Sequence, residues 1–366
     1  MSDATPPTGA PTRKEEVGRF KAAFDESLRV FLSEAIVRYH TRLPHHNLDH
    51  IFAHLVTVCA GGKRLRPYIA YALYEASHPG TTFADLREVL LAIELFHIFC
   101  LIHDDVMDEA SVRHGVSTLH HYVSSDLYAT APTQQSIRRA GESQAILVGD
   151  LVFNLVTQLL DAASERNLPH LPAVRHVFHD LVEEVCLGQM LDIDLTVRTL
   201  VLEEEVLQKN QFKTARYSFV RPLQIGATLA GRSDLLPVCE SFGLALGQLY
   251  QIQDYLLDLF GDPSETKKEV MTDITQNQHT VLTAFLRTHG GAGAAFLDAT
   301  VGTMPDDAAV SALRQHFIES GAVAHAEALI AENEAAAHAA LESPTLTERD
   351  RAFLSDFIAL VHKRRA

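Results

Sequence analysis

Three aspartates lie on two consecutive turns of an otherwise apolar segment, and this feature constrains the fold more than any other. Asp104 and Asp108 are four residues apart and project from one face of a helix, with Asp105 about 100° round. The segment from Leu86 to Met107 is apolar enough for a core helix, where unpaired carboxylates would be costly. They therefore require a cation, and hard oxygen ligands favour Mg²⁺ or Mn²⁺. The alternative is a solvated acidic helix end.

A second acidic cluster follows about 150 residues later. Asp254, Asp258 and Asp262 are spaced four residues apart and therefore share one helical face. Two such faces could oppose each other across a helical bundle, where metal and ligand sites are commonly built. They would repel each other unless cations lay between them. Asp262, beside Gly261 and Pro263, also suits a solvated helix end.

Cationic residues that suit a phosphate follow two glycines, Gly61 and Gly62. Lys63, Arg64 and Arg66 can make charge-assisted contacts to phosphate oxygens, bidentate for arginine, and the glycines allow close backbone approach. A solvated basic loop is the alternative. His97 lies two helical turns before Asp104 and points to the same side, although a lone histidine also suits the core.

Helical periodicity dominates the chain and strand signals are sparse. The prediction is one domain over residues 16–366, preceded by a disordered tail over residues 1–15 that is rich in proline and small polar residues. The segment from Ser124 to Gln144 is predicted to be an irregular insertion. Further helices are predicted for Val174 to Leu195, Leu200 to Gly231 and Ser241 to Phe260, and a surface-exposed helix is predicted for Ala322 to Leu341.

Composition excludes several classes of protein. A net charge of -16 argues against a nucleic-acid partner. The sequence predicts no transmembrane segment, because the most apolar helix carries Glu94 and His97. Isolated cysteines in apolar surroundings indicate buried thiols and a reducing, cytoplasmic compartment; they are Cys59, Cys100, Cys186 and Cys239. A zinc site is an alternative to a histidine-rich helix start for the cluster His45, His46, Asp49, His50 and His54.

Several motifs occur in the order typical of one family. The chain resembles the trans-prenyl diphosphate synthases, which make geranyl, farnesyl and geranylgeranyl diphosphates. The matching segments lie between about residues 60 and 280 and are Gly61 to Pro67, Glu94 to His97, His103 to Asp108, Arg113-His114-Gly115, Gly188-Gln189-Met190-Leu191-Asp192, Lys213-Thr214 and Gln251 to Asp254.

The resemblance implies an all-α, single-domain bundle of long helices around a central apolar cavity, the isoprenoid synthase fold. It implies a homodimer that condenses isopentenyl diphosphate with allylic diphosphates. It also implies three Mg²⁺ ions with diphosphate bound, which Mn²⁺ can replace. The implied metal ligands are Asp104, Asp105, Asp108, Asp254 and Asp258. The allylic diphosphate would bind Arg113, Lys213 and Lys268; isopentenyl diphosphate would bind Lys63, Arg66, His97 and His114; and Gln189, Thr214 and Gln251 would line the reaction centre.

Three departures from the family pattern reduce the charge at the diphosphate end. Tyr255 replaces the second aspartate of the second motif, His114 replaces an arginine, and Gln278 lies in a segment that lacks the lysine usual just before Thr280. One alternative is therefore a low-activity or regulatory subunit of a heteromeric synthase. Another is a class I terpene cyclase, for which the isopentenyl diphosphate site would be superfluous.

Product length is predicted from the residues before the first aspartate motif. Phe99 and Cys100 lie five and four residues before Asp104, and in this family an aromatic residue there commonly limits elongation. The first motif also lacks the extra pair of residues seen in many bacterial farnesyl-making relatives. These features favour geranylgeranyl diphosphate, with farnesyl diphosphate second. Phe96 and Phe153 are alternative positions for the wall that stops growth.

Overall fold

The computed structural model describes residues 13–113, 115–129, 134–261, 271–303 and 305–362. The first part of the chain contains α1 Arg13–Arg42, α2 His46–Ala60, α3 Leu65–Ser77, α4 Phe83–Met107, β1 Val112–Arg113, β2 Val116–Ser117, α5 Leu119–Tyr122, a π-helical turn Val123–Leu127 and α6 Gln134–Glu165. The second part contains α7 Leu171–Thr196, α8 Glu203–Asn210, a π-helical segment Gln211–Val220, α9 Arg221–Leu229, a 3₁₀ turn Ser233–Leu235, α10 Leu236–Phe260, α11 Thr272–Thr275, α12 Val281–His289, α13 Ala292–Thr300, α14 Asp307–Glu319, α15 Ala322–Ala340 and α16 Glu348–His362.

The chain forms two compact units. The first unit comprises residues up to Tyr68 together with Thr81–Leu159, and the second comprises Ile69–Gly80 together with the chain from Leu160 onward. The prediction of one domain over residues 16–366 stays a prediction. Helix α1 begins at Arg13, so the predicted tail overlaps this helix by three residues, and residues 1–12 lie outside the described part of the chain.

Helix α4 is the core helix of the first unit. It begins three residues before the predicted Leu86, because the Thr82 backbone N–H donates to the Asp85 carboxylate at 2.7 Å and fixes the first turn. Its middle is buried on nearly all sides, and Phe96 is fully buried. It ends at Met107, where the Asp108 N–H donates to the Asp104 carbonyl. The aspartates therefore lie on the last turn of a rigid element.

Helix α6 corrects one prediction about the first unit. Residues 134–144, which the sequence placed in an irregular insertion, belong to α6, and Val123–Leu127 form a π-helical turn. One helical stretch among the described residues, Gln135–Glu165, is long and apolar enough to cross a membrane. Its apolar 18-residue window has a mean hydropathy of 1.5, and 44% of that window is buried. A single such helix is weak evidence for a membrane span, because a core helix of a soluble protein meets the same criterion.

In the second unit, α10 packs against α15 and the π-helical segment, which also contacts α7. Helix α15 was predicted to be exposed, but Ala322, Ala326 and Ile330 are buried. The predicted helix Leu200 to Gly231 forms as α8, the π-helical segment and α9 in direct succession. In a π-helix each N–H donates to the carbonyl five residues back, a pattern often found at functional sites.

Candidate active site

The carboxylates at the end of α4 differ in their surroundings. Asp105 is buried and accepts a hydrogen bond from Arg113 Nε, whereas Asp104 and Asp108 are half-buried. Burial raises the pKa of Asp105 to about 6; the Arg113 guanidinium opposes this rise and the Asp104 carboxylate adds to it. One guanidinium therefore does not compensate the carboxylates at this helix end.

The donor set of α4 fits Mg²⁺. Asp105 pairs with Arg113, and Asp104 and Asp108 share one face at the end of α4. Within the described ranges, no group of three or more His, Cys, Asp or Glu side chains forms a ready metal site. Mg²⁺ commonly binds one or two carboxylates and completes its shell with water and substrate phosphate. Two carboxylates therefore suit Mg²⁺ better than they suit an ion whose ligands all come from the protein.

The basic loop before α3 divides its cations between two roles. Arg64 is only 2% exposed and donates to Glu94 Oε1 at 2.8 Å, Asp25 Oδ1 at 2.7 Å and the Cys59 carbonyl at 2.7 Å. Its left-handed backbone, with a φ of 55°, turns the side chain inward. Lys63 is exposed and Arg66 is half-buried. Arg64 is thus structural, and the roles of Lys63 and Arg66 in ligand binding stay predictions.

An aromatic cluster lies on α4 about one turn before the aspartates. The ring of Phe99 lies 5.6 Å from that of Phe96, 5.1 Å from that of Phe153 on α6 and 4.6 Å from that of His103. Cys100 is half-buried and forms no disulfide with the other described cysteines. The three positions considered for the chain-length wall therefore form one cluster.

The π-helical segment carries Lys213 and Thr214 and is held by close backbone contacts. A Cβ at Gly188 of α7 would lie 2.5 Å from the Lys213 nitrogen, and a Cβ at Gly247 of α10 would lie 2.4 Å from Ala215 Cα. Both helices can approach this segment only through glycine. The Thr214 hydroxyl donates to Gln251 Oε1 at 2.8 Å, so two of the predicted reaction-centre residues are in contact.

Asp192, the last residue of the Gly-Gln-x-x-Asp motif, lies between two lysines. Lys213 Nζ donates to Asp192 Oδ2 at 2.6 Å, and Lys209 Nζ lies 3.1 Å from Asp192 Oδ1. Asp192 and Lys209 are both buried. Burial disfavours the charged carboxylate, but the attraction of Lys209 and Lys213 outweighs it and lowers the pKa of Asp192. No role was predicted for Lys209.

The second aspartate motif has one inward and two half-buried positions. Tyr255 is 5% exposed and donates its hydroxyl hydrogen to Asn210 Oδ1, while burial raises its pKa well above the ordinary value. Asp254 is half-buried. The Asp258 carboxylate accepts hydrogen bonds from Thr272 and Asp273, which begin α11. Burial raises the pKa of Asp258 and these hydrogen bonds oppose the rise. Its metal-binding role stays a prediction.

Comparisons with known proteins decide the family. Residues 45–316, well over half of the chain, match the model of the polyprenyl synthetase family. The chain belongs to this family. The prediction of a trans-prenyl diphosphate synthase is therefore confirmed.

Individual relatives of this prenyl diphosphate synthase have related activities. It is 31% identical to the geranylfarnesyl diphosphate synthase of Natronomonas pharaonis over 72% of this chain and 75% of that one. It is 30% identical to the geranylgeranyl diphosphate synthase of Methanosarcina mazei over 62% of this chain and 63% of that one, so the match spans less than two thirds of the latter.

A solved structure supports the fold of the synthase. The geranylgeranyl pyrophosphate synthase of Corynebacterium glutamicum, complexed with isoprenyl diphosphate and magnesium, has a TM-score of 0.84 and 28% identity. The match covers 93% of this chain and 99% of that one. The predicted all-α isoprenoid synthase fold is confirmed.

Several predicted site residues of the synthase stay predictions. His114, Asp262 and Lys268 lie outside the described residues. His97 and Gln189 are half-buried on α4 and α7. Gln278 is half-buried, and its backbone N–H donates to the Asp273 carbonyl at 2.6 Å.

The histidine-rich start of α2 does not gather into one centre. His46 Nε2 and His50 Nε2 lie 3.1 Å apart, but His40 contacts Asp49 and His54 Nε2 contacts the Ser117 carbonyl. The described residues therefore do not support the zinc alternative. None of the four described cysteines forms a disulfide; two are buried, as predicted, whereas Cys186 is exposed and Cys100 is half-buried.

Proposed function

We propose that this synthase extends allylic diphosphates with isopentenyl diphosphate in a Mg²⁺-dependent reaction whose main product is geranylgeranyl diphosphate, with farnesyl diphosphate second. The observation that supports this proposal is the order of groups along α4. The carboxylate pair Asp104 and Asp108 ends the helix, and the Phe99 cluster lies about one turn before it. The relatives are named for geranylgeranyl and geranylfarnesyl products, so chain length is the finer part of the proposal.

The proposed chemistry begins at the α4 carboxylates. Mg²⁺ bound there would neutralise charge on the departing diphosphate and promote ionisation of the allylic carbon–oxygen bond. Asp104, Asp105 and Asp108 would hold the ion, and Arg113, which pairs with Asp105, lies close enough to this end of α4 to contact the diphosphate. The double bond of isopentenyl diphosphate would then attack the allylic cation, and transfer of a proton to the released diphosphate would restore neutrality. Apolar walls exclude the water that would quench the cation.

The remaining roles follow the resemblance residue by residue. Arg113, Lys213 and Lys268 are proposed to bind the allylic diphosphate. Lys63, Arg66, His97 and His114 are proposed for isopentenyl diphosphate, and Gln189, Thr214 and Gln251 for the reaction centre. Asp254 and Asp258 are proposed as the second set of metal ligands. Three Mg²⁺ ions, replacement by Mn²⁺ and a cytoplasmic compartment stay predictions.

The aromatic cluster supports the limit on product length. Each five-carbon unit gains roughly 3 to 4 kcal/mol from burial at about 0.8 kcal/mol per carbon, so growth stops only where the tail meets a wall. The rings of Phe96, Phe99 and Phe153 lie within about 6 Å of one another and supply such a wall.

The test is incubation of the purified chain with labelled isopentenyl diphosphate, an allylic primer and Mg²⁺, followed by chromatography of the products. Dimethylallyl, geranyl and farnesyl diphosphates serve as separate primers, with chelator and Mn²⁺ as parallel conditions. The proposal expects metal-dependent formation of geranylgeranyl diphosphate. Conversion of a primer to a hydrocarbon without use of isopentenyl diphosphate would instead identify a terpene cyclase.

A partner-subunit function is the second candidate, and Tyr255 is the observation that favours it. Its buried hydroxyl contacts Asn210, so this position offers no carboxylate to a metal. Activity that appears only after addition of a second synthase subunit would support this candidate over the first.

We also propose a homodimer. Apolar side chains remain exposed on α6, at Ile146 and Leu147, and on α7, at Leu187, Met190 and Ile193. Exposed apolar groups of this kind mark association surfaces. Light scattering after size exclusion tests this, since an apparent mass near twice 40.4 kDa is expected.

A further inference from the structure

Lys209 is a lysine that the protein keeps out of water. It lies on α8 and is only 5% exposed. Its ammonium donates to the His279 carbonyl at 2.8 Å, lies 3.1 Å from Asp192 Oδ1 and is 5.9 Å from the centre of the Tyr255 ring. Lysine is almost never buried unless it is paired. Its main charged partner is therefore Asp192.

The two lysines that contact Asp192 differ in their exposure to solvent. The Lys209 side chain is 6% exposed, whereas that of Lys213 is 26% exposed. Each lysine approaches its own carboxylate oxygen, Oδ1 for Lys209 and Oδ2 for Lys213. With one carboxylate and two ammonium groups, this trio carries one surplus positive charge, and Lys213 is the more accessible of the two cations.

We propose that Lys209 is a positioning residue: it is the permanent counterion of Asp192, and this allows Lys213 to leave Asp192 and bind a diphosphate group. The inference rests on the proposed role of Lys213 and deepens it. A buried carboxylate left without a partner is strongly unfavourable. Without Lys209, the departure of Lys213 would create this situation, so Lys213 would remain paired with Asp192. With Lys209 in place, Asp192 stays compensated after Lys213 leaves.

The experiment measures binding of inorganic pyrophosphate in the presence of Mg²⁺ by calorimetry, using the full chain. The variants are Lys209→Met, Lys209→Arg, Asp192→Asn and the double variant Lys209→Met with Asp192→Asn. Lys209→Met is expected to weaken pyrophosphate binding about tenfold or more, the usual scale for a lost charge-assisted hydrogen bond. Lys209→Arg is expected to retain most of the affinity, because it keeps the charge. Lys21→Met on α1 is the matched control and should bind as the wild type does.

The double variant separates positioning from simple loss of charge. Once Asp192 is neutral, no counterion is needed, so Lys209→Met should have little effect in the Asp192→Asn background. An equal loss of affinity in both backgrounds would overturn the proposal, since it would mean that Lys209 acts on the ligand by long-range attraction. Equal affinity of Lys209→Met and the wild type would also overturn it. If Lys209→Met fails to fold, the double variant, in which neither charge of the buried pair remains, is compared with Asp192→Asn, and a loss of affinity in the double variant would overturn the proposal.

Steady-state kinetics provide a second readout. The KM for the allylic diphosphate should rise in Lys209→Met more than kcat falls, whereas a purely structural defect would lower the amount of active enzyme and leave KM unchanged. If the wild-type chain shows no prenyl transfer but binds pyrophosphate in a way that depends on Lys209, the proposed function is contradicted and this inference is supported. Wild-type chain that binds no pyrophosphate with Mg²⁺ would overturn the inference.

Discussion

Replacement of Arg64 by methionine should destabilise the protein without affecting its substrate sites. The guanidinium of Arg64 makes three hydrogen bonds, to Asp25, Glu94 and the Cys59 carbonyl. Methionine preserves much of the apolar stem but removes all three. Asp25 is 34% exposed and can regain water, whereas Glu94 is 4% exposed and cannot. The main cost of Arg64→Met is therefore the carboxylate of Glu94, which stays buried without a partner.

The expected magnitude follows from this partner. Breaking a buried ion pair by removing one member typically costs about 3 to 5 kcal/mol. At about 2.1 cal/mol/K of unfolding entropy per residue, a chain of 366 residues that unfolds cooperatively would lose roughly 4 to 6 °C in Tm. Adding Glu94→Gln to Arg64→Met removes the uncompensated charge and should recover much of the loss.

Thermal unfolding followed by circular dichroism measures the effect. The matched control is Lys63→Met, one residue earlier: Lys63 is exposed, so its Tm should change little while the KM for isopentenyl diphosphate rises. Arg64→Met should show the opposite pattern. A Tm within 1 °C of the wild type in Arg64→Met would refute this reasoning, as would a rise in KM equal to that of Lys63→Met.

Three further predictions concern catalysis, product length and pH. Asp104→Asn should lower turnover by several orders of magnitude at saturating Mg²⁺ with an unchanged circular dichroism spectrum, and near-normal rates would contradict the metal assignment. Phe99→Ala should lengthen the products seen by chromatography; an unchanged distribution would move the wall to Phe96 or Phe153. Burial, together with Arg287, lowers the pKa of His279 to about 4, so stability should be full above about pH 6.5 and fall as the pH drops from there toward 4. Urea unfolding should show a weaker pH dependence for His279→Gln, and equal slopes would contradict this.

The sequence predicted the long helices better than their starts. Helix α4 ends at the predicted Met107 and α10 at the predicted Phe260, where glycine or acidic residues interrupt the apolar pattern. Helix α4 starts upstream of the prediction because the capping contact of Thr82 with Asp85 adds a turn that hydrophobic periodicity does not register. Helix α10 starts at Leu236, upstream of the predicted Ser241, with a proline in its first turn. The π-helical segment also escaped prediction, since a period of about 3.6 residues carries no sign of hydrogen bonds to the fifth residue back.

Residues of the candidate site could be predicted from the sequence where they belong to local motifs. The aspartates of α4 were selected by their spacing and the Lys213-Thr214 pair by its resemblance to a family motif, and their roles stay predictions. Lys209 and Arg64 were not, because their burial depends on partners far along the chain, Asp192 for one and Glu94 for the other. A lysine in a polar helix and an arginine in a basic loop both suggest solvent until those partners are known.

The glycines that face the π-helical segment have a consequence for how this enzyme tolerates change. Gly188 and Gly247 let α7 and α10 touch the backbone of the segment itself, so Lys213 and Thr214 are positioned by main-chain atoms that every sequence shares. Side chains on the outer surface of α7 and α10 can therefore vary freely without moving the two residues. Deleting one residue inside the segment would instead rotate all that follows by about 100° and bring both glycines against the wrong partners. Substitutions on these outer surfaces should therefore be tolerated, whereas insertions or deletions within the π-helical segment should not.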